Sequence, residues 1–462
     1  CCRLCDRFRV SLLSRWKQRG MYATCIWIVQ LLLVVSKRDS MFVYVPEYYL
    51  ETLVDMFHVL RKSDPPFFPA SLFIKQGLAS FVTFIATHFD DPRISSAELK
   101  DLLLHSISVL VQYKEFLAVF ECNEAAKSHM PKALLSAFNN RSWITVTDIL
   151  LRLCKGSSLY SANHRGESSS SSAVFQKLLR EACTNDVELF STFLNCLFNT
   201  LSWSMTEFSV SISEMQDNCK LMESQKRKCG IIFDLSYNLV RVLEFCTRHV
   251  PQAFVSGSDV NLRRLAELIV FILNNLIRSF DPEFLDITLR RPGLSPEKVN
   301  TGMILSPLAV IILNLMDAYQ ERNNDNDIVA VFDSMECADT ILIGFRSLLL
   351  DQNWVTFSDG KGDEESTTKL ENFWSILMCR QSESEAARKQ QVETEDDQAC
   401  CCCICYANRA TARFLPCSHV SCHGCISRHL LNCHRCFFCN CIVCDVVLQG
   451  VGVEEELKKS DD

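Results

Sequence analysis

The stretch CCCCICYANRATARFLPCSHVSCHGCISRHLLNCHRCFFCNCIVC, which runs from Cys400 to Cys444, contains 13 of the 26 cysteines in the chain. Four pairs of cysteine or histidine stand out in it by their short spacing: Cys402-x2-Cys405, Cys417-x-His419, Cys422-x2-Cys425 and Cys436-x2-Cys439. Because a tetrahedral zinc ion takes four such ligands, these eight residues predict two zinc ions. A disulfide framework is the alternative, but the long helical sequence of intracellular type before the stretch favours metal.

The order and spacing of these ligands, with a histidine in fourth place, resemble a RING finger. In that family the first and third pairs share one ion, and the second and fourth pairs share the other. The resemblance implies that the first zinc is held by Cys402, Cys405, Cys422 and Cys425. It implies that the second zinc is held by Cys417, His419, Cys436 and Cys439. A module of about 40 residues has too small an apolar core to fold alone, so we expect the interleaved sites to stabilise it.

The position of the last ligand pair is open, because two further pairs have the same spacing. These are Cys433-x2-Cys436 and Cys441-x2-Cys444. We prefer Cys436 and Cys439, since this choice leaves the longer gap for a predicted helix at Ile426–Leu431. The remaining cysteines of the stretch are then expected not to bind metal.

Three motifs narrow the resemblance further: CCICYA, FLPCSHVSCHGCISRHLLN and CFFC. They resemble the C-terminal RING of the catalytic subunits of Kip ubiquitylation-promoting complexes. More weakly, VPEYYLETLVDMFHVL, which begins at Val45, is similar to the helical core of Ufd-type ubiquitin chain-elongation factors. The SPRY domain that this family carries far upstream is not found, and the chain begins with Cys-Cys-Arg, so we interpret it as a C-terminal fragment.

The resemblance implies a RING-type ubiquitin ligase that binds a ubiquitin-conjugating enzyme and ubiquitin. Its expected substrates are Kip-type cyclin-dependent kinase inhibitors, with the helical body as the docking surface. Such a ligase positions the reactants and supplies no nucleophile, so no catalytic residue is predicted.

The family's contacts to the conjugating enzyme map onto Ile404, His429 and Phe437. The alternative is that Ile404 and Phe437 pack the small core of the module. Many active RING domains have proline where Phe437 stands and a basic residue where this chain has Asn440. These two departures leave a non-catalytic, zinc-stapled scaffold as the alternative function.

The rest of the sequence predicts a mostly α protein. From Val45 to about Leu350 apolar residues recur every three or four positions, and strand signals are nearly absent. Most predicted helices are too apolar to bury one face only, so we expect a multi-helical, solenoid-like scaffold over residues 1–355. No clean period indicates a named repeat family. We predict a flexible loop at 156–172, a charged linker at 356–398 and the RING-type finger at 400–448.

Composition and charge restrict the classes of partner and the cellular compartment that we expect for this protein. The 462 residues are 48% hydrophobic and carry a formal net charge of −8, which is typical of a globular protein with more than one domain. The sparse arginines of the cysteine-rich stretch do not form a phosphate-binding track, so no nucleic-acid partner is predicted. Cysteines such as Cys154 and Cys246 stand within apolar helical patterns, as in a reducing compartment, so a cytoplasmic location is expected.

An apolar run at Met21–Val35 follows the basic segment Arg15–Arg19, as in a signal anchor. About 18 to 20 apolar residues are needed to cross a bilayer, and this shorter run includes Gln30. We therefore predict a buried helix and no membrane partner. A membrane-tethered protein stays open as a third interpretation beside the ligase and the scaffold.

Overall fold

A computed structural model of the chain describes the protein in separate stretches. They are residues 14–61, 77–138, 142–155, 171–217, 223–255, 260–279, 302–320, 328–333, 364–392, 402, 404–405, 408, 410–430 and 433–448. By its internal contacts the chain divides into two units, Cys1–Met378 and Cys379–Asp462.

Helices make up the described part of the chain before the cysteine-rich tail, as the sequence predicts. They are α1 (Arg15–Val35), α2 (Asp39–Phe42), α3 (Glu47–Arg61), α4 (Ala79–His88), α5 (Ala97–Leu110), α6 (Lys114–Cys122), α7 (Glu124–Ala137), α8 (Trp143–Lys155), α9 (Ala173–Asn185), α10 (Val187–Asp217), α11 (Glu223–His249), α12 (Gln252–Val255), α13 (Val260–Ser279), α14 (Gly302–Gln320), α15 (Ile328–Asp333) and α16 (Glu364–Val392).

Side-chain caps fix the starts of several helices. Ser96 accepts a hydrogen bond from the backbone N–H of Leu99 at the start of α5, and Asn123 does the same for Ala126 at the start of α7. Such a cap satisfies one of the N–H groups that have no partner within the helix. Ser172 caps α9, so the loop predicted at 156–172 ends at a helix boundary. Most of that loop lies outside the described residues.

The helices stack in layers, which confirms the predicted scaffold. Helix α11 packs against α8, α10 and α14, and α10 also packs against α13. A helix with neighbours on more than one side buries more than one face, as expected of stacked helical layers. Phenylalanines such as Phe193, Phe208 and Phe233 are among the largest fully buried side chains.

Helix α1 differs from the prediction of a buried helix. Its inner face, which includes Cys25, Ile28 and Leu32, is buried, while Trp16 and Trp27 are exposed. Within the described residues, α1 and Met303–Gln320 are long and apolar enough to cross a membrane, and the bent pair α5 and α6 would add a third span if counted as one. The apolar window of α1 is 28% buried, against 78% for Met303–Gln320.

Helix α16 lies where the sequence predicts a charged linker. Leu370, Phe373 and Leu377 are buried, and their spacing of three and four residues places them on one helix face. Lys369 forms ion pairs with Asp317 of α14 and Glu365 of its own helix. This part of the predicted linker is therefore a packed helix, and the domain boundaries stay a prediction.

The cysteine-rich unit contains a three-stranded antiparallel sheet and one helix. The strands are β1 (Ala412–Leu415), β2 (Val420–Ser421) and β3 (Asp445–Leu448), in the order β2-β1-β3, and the helix is α17 (His423–Leu430). Among the described residues, the buried hydrophobic core of this unit consists of Ala412, Phe414, Ile426 and Cys436. Helix α17 begins three residues before the predicted start, and the core is as small as the sequence suggests.

Candidate metal centre

The first cluster of metal-binding side chains is formed by Cys402, Cys405, Cys422 and Cys425. Their sulfur atoms all lie within 4.8 Å of one another. Cys402 and Cys405 belong to the turn before β1, Cys422 follows β2, and Cys425 lies in the first turn of α17. The backbone N–H of Cys402 donates to the carbonyl of Asn408 at 2.7 Å, which closes the first turn on itself.

The second cluster is formed by Cys417, His419, Cys436 and Cys439, whose candidate ligand atoms also lie within 4.8 Å of one another. Cys417 and His419 belong to the tight turn between β1 and β2. Ser418 between them has a φ of 59°, and its N–H donates to the carbonyl of Phe414 at 2.7 Å. Residues other than glycine rarely adopt this left-handed backbone conformation. Here it brings the flanking residues Cys417 and His419 into one cluster.

The sulfur spacing of the first cluster fits a zinc ion. Two sulfurs at about 2.3 Å from a central zinc, separated by the tetrahedral angle, lie about 3.8 Å apart. The sulfurs of Cys405 and Cys422 are 3.7 Å apart.

The second cluster contains a polar atom that has no hydrogen-bond partner. The Nδ1 atom of His419 is buried and accepts or donates no hydrogen bond. A buried nitrogen without a partner is costly, and a coordinated metal ion removes that cost.

The thiols of the first cluster cannot all ionise without a cation. Hydrogen bonding with Cys422 raises the pKa of the Cys425 thiol to about 12. Burial alone would raise the pKa of Cys402, but backbone N–H groups including that of Ile404 lower it to about 6. Four thiolates this close repel one another unless a positive ion lies between them. The donor set of soft sulfurs and one imidazole fits zinc.

The structure settles which side chains lie together. The two clusters alternate along the sequence, so that the first and third pairs meet and the second and fourth pairs meet. Cys433, Cys441 and Cys444 belong to neither cluster. The three lie on or beside a short hairpin, in which the N–H of Cys436 donates to the carbonyl of Cys441 at 2.6 Å.

Two of the three predicted partner-binding residues lie together. The ring of Phe437 meets that of His429 edge to face, with centroids 5.7 Å apart. His429 is held in place by its Nε2 atom, which is 2.7 Å from the carbonyl oxygen of Arg435. Phe437 is 62% exposed and Ile404 is half-buried, and neither belongs to the described core of the unit.

Two neighbouring residues add to this surface. Phe438, which the sequence analysis did not single out, is 40% exposed and meets Phe437 edge to face at 5.7 Å. Its signal was the second phenylalanine of CFFC. Asn440 has a φ of 58°, a conformation that asparagine tolerates well. The guanidinium of Arg435 donates to the carbonyl of Asn440 at 3.3 Å, so a positive charge lies beside this position.

Two known protein families match the part of the chain that precedes the cysteine-rich stretch. Residues 18–142 match a family described as ubiquitin elongating factor core, and residues 191–384 match a family described as RNF123-like, TPR repeat. The first match confirms the similarity to Ufd-type factors. The second corrects the expectation that no repeat family applies. The repeat lacks a clean sequence period because layered packing requires apolar positions and not particular residues.

Among curated proteins, the E3 ubiquitin-protein ligase RKP of Arabidopsis thaliana is 59% identical to the chain over 457 residues. The matched region is 97% of this chain and 35% of that protein. The chain therefore spans about a third of the length of this relative.

Proposed function

The ligase RKP is similar to this chain over 97% of the chain's own length, and on that premise we propose that the chain is a RING-type E3 ubiquitin transferase. The observation that carries the proposal is the pair of interleaved four-residue clusters, which have the ligand order of a RING finger. A helical body with matches to an elongating-factor core and a TPR repeat precedes them.

Two zinc ions would be held by the eight clustered side chains. Each cluster offers four ligands, which fill the tetrahedral shell of zinc and leave no open position for a substrate or a reactive water. The ions thus serve the fold alone. They tie the turn before β1 to α17, and the turn between β1 and β2 to the segment that carries Cys436 and Cys439.

The conjugating enzyme would bind the surface made by Ile404, His429 and Phe437. Phe437 and Phe438 are both exposed and their rings are in contact, and adjoining exposed aromatic side chains indicate a surface that a partner covers. The contact of Phe437 with His429 fixes the orientation of both rings, so the surface is formed before the partner arrives. Ubiquitin transfer then gains from the positioning of the bound thioester against the acceptor lysine, without a nucleophile from this chain.

The protein substrates would dock on the helical body, and by resemblance these are Kip-type cyclin-dependent kinase inhibitors in the cytoplasm. Stacked helical repeats present an extended surface suited to a protein ligand. The match to a TPR repeat over residues 191–384 supports this part of the proposal.

Chain formation by the purified 462-residue protein tests the ligase proposal. The protein is incubated with ubiquitin, activating enzyme, ATP and each of a panel of conjugating enzymes. We expect ubiquitin chains with at least one conjugating enzyme, and none from Cys422→Ser, which removes a ligand of the first cluster. A zinc-loaded protein that forms no chains with any member of the panel would establish the scaffold function instead.

A further inference from the structure

Helix α1 is fixed to the helical body by its inner face and its C-terminal end. A Cβ atom at Gly77 would lie 2.9 Å from both Ile26 and Tyr22, so α1 lies directly against the chain that enters α4. At the other end, Arg93 donates to the carbonyl of Ser36 at 2.8 Å and pairs with Asp39 at 2.7 Å. The outer face of α1 is therefore a fixed surface of the protein.

This outer face carries large apolar side chains, with small or polar residues exposed between its two tryptophans. Trp16, Trp27 and Val34 are 71%, 60% and 61% exposed, and Leu31 lies on the same side of the helix. The stripe from Trp16 to Val34 extends about 27 Å at the rise of an α-helix. Isolated exposed apolar residues are ordinary, but four large apolar side chains on one helix face, two of them tryptophans, indicate a binding surface.

Positive charge lies at both ends of the stripe. From residue 15 to residue 38 the sequence has five basic residues and no acidic one. They are Arg15, Lys17, Arg19, Lys37 and Arg38. Apart from Lys17, each of them is exposed and forms no ion pair with any described residue. The next acidic residue, Asp39, is already paired with Arg93.

Further exposed apolar side chains lie in the turn and the helix that follow α1. Met41, Val43, Tyr44 and Tyr48 are 50%, 59%, 83% and 58% exposed. Tryptophan and tyrosine combine an apolar ring with a polar group, and they are enriched where a bilayer meets water.

We propose that the outer face of α1 binds the surface of an anionic membrane. Trp16, Trp27 and Val34 enter the headgroup region while Arg15 and Arg19 contact the anionic lipid headgroups. The helix lies along the membrane and does not cross it, because its inner face is packed on the protein. The sequence argument against a spanning anchor therefore stands, and it does not apply to surface binding.

Charge and composition favour a membrane over two other occupants of this face. A second copy of the chain would bring the basic ends of two α1 helices together in either orientation, and like charges repel. An acidic helix of another protein would satisfy the charge. However, helix seams take aliphatic residues at their contact positions, whereas Trp16 and Trp27 are the residue type of lipid interfaces.

Flotation with lipid vesicles tests the proposal on the full chain. Vesicles of phosphatidylcholine with phosphatidylserine are compared with vesicles of phosphatidylcholine alone, at low and high salt. We expect binding to the anionic vesicles only, and weaker binding at high salt. Arg15→Gln with Arg19→Gln should weaken partitioning about fivefold for each cation removed. Trp16→Ala with Trp27→Ala should abolish most of it.

Trp203→Ala is the matched control, because Trp203 is 52% exposed on α10 and lies outside the proposed surface. It should bind anionic vesicles as the parent chain does. Circular dichroism of each variant confirms that the helices are retained. Since the readout is lipid binding, the result is independent of ubiquitin transfer.

Three results would overturn the membrane proposal. One is equal binding to both kinds of vesicle, or to neither. A second is unchanged binding by the folded Trp16 and Trp27 double variant. The third result would assign the face to a protein. A molar mass by light scattering above that of one chain, which this variant lowers, would indicate a second copy. Tight binding of a soluble polyglutamate peptide without vesicle binding would indicate an acidic protein.

Discussion

The ring of Phe438 stacks on that of His419, with centroids 5.3 Å apart and planes inclined by 23°. Phe438 therefore covers one face of an imidazole that belongs to the second metal cluster. Replacement by alanine should leave all eight ligands in place but expose the imidazole. We expect Phe438→Ala to release zinc to a chelator faster than the parent chain, as measured with a chromogenic zinc indicator. Equal release rates would show that the stacking does not protect the site.

Metal content is the most direct prediction of the two clusters. Elemental analysis of the full chain should give two zinc ions per chain, since the structure places four candidate ligands around each of two positions. Chelation should abolish hydrogen-exchange protection in β1, β2 and α17, because site formation and folding of this small unit are one equilibrium. The helical body, which has its own large core, should keep its protection. One ion per chain, or a protected tail after chelation, contradicts the interleaved arrangement.

The choice of the last ligand pair is tested by single serine substitutions. Cys439→Ser removes a member of the second cluster and should lose at least one zinc ion and the tail's protection. Cys444→Ser and Cys433→Ser are matched controls in the same segment, and both should retain two ions. If Cys444→Ser is as damaging as Cys439→Ser, the cluster in solution differs from the one described.

The Ile404→Ala substitution tests partner binding separately from folding. Ile404 lies between Cys402 and Cys405, both members of the first cluster, and it does not belong to the described core. Ile404→Ala should retain two ions and an unchanged melting temperature. Truncation of a central interface residue costs about 2 kcal/mol of binding, which is about thirtyfold in affinity, so chain formation should be largely lost.

Ile442→Ala is a matched control for Ile404→Ala, because Ile442 is 54% exposed in the same unit and is not predicted to bind the partner. It should form chains normally. Loss of zinc or early melting of Ile404→Ala would place Ile404 in the core. Full activity with every conjugating enzyme would favour the scaffold function.

A buried network near the end of α4 makes stability depend on pH. Burial raises the pKa of Asp91, but hydrogen bonds from Arg93 and His88 lower it well below its ordinary value. Burial lowers the pKa of His88, which overcomes the opposite effect of Asp91. Both folded-state values are depressed, so the unfolded chain binds more protons and stability falls as the pH is lowered.

The expected loss begins below about pH 6.5, the ordinary pKa of histidine, and the contribution of Asp91 follows below about pH 4. Asp91→Ala leaves His88 and Arg93 without their shared partner and should cost about 3 kcal/mol at neutral pH. In a plot of unfolding free energy against pH, measured by urea denaturation, it should also remove the fall that Asp91 causes below about pH 4. The fall that His88 causes below about pH 6.5 should remain, because Asp91 raises the pKa of His88 and its loss depresses that pKa further. An unaltered acid limb would assign the pH dependence to other groups.

The sequence predicted those features that depend on local spacing. The short intervals within the pairs, such as Cys402-x2-Cys405, identified the eight candidate ligands, and the resemblance to a RING finger implied that the first pair meets the third. The helical body was likewise readable from its apolar periodicity. Features set by distant packing were not. Large apolar residues such as Trp27 and Leu31 stand on the exposed face of α1 as well as on its buried face, so the sequence alone could not tell which side the body covers.

The sequence also could not predict the contact of His429 with Phe437 or the stacking of Phe438 on His419. Each joins residues whose relative orientation depends on the turn around Asn440 and on the end of α17. Within the charged linker only an amphipathic piece at Leu370–Cys379 was evident from the sequence. The full length of α16 was not predicted, because its charged residues dominate the composition and its buried residues form only a narrow stripe.

The alternation of the two clusters along the chain has a consequence for the order of assembly. Cys405 and Cys422 are 17 residues apart, and the segment between them carries Cys417 and His419. The first ion to bind at either cluster therefore closes a loop that contains half of the other cluster, and it removes part of the chain entropy that the second ion must overcome. The second ion should bind more tightly than the first, so that chains with a single ion are scarce at any zinc concentration. A newly synthesised tail would then respond to free zinc as a steep threshold, with nearly every chain holding either two ions or none.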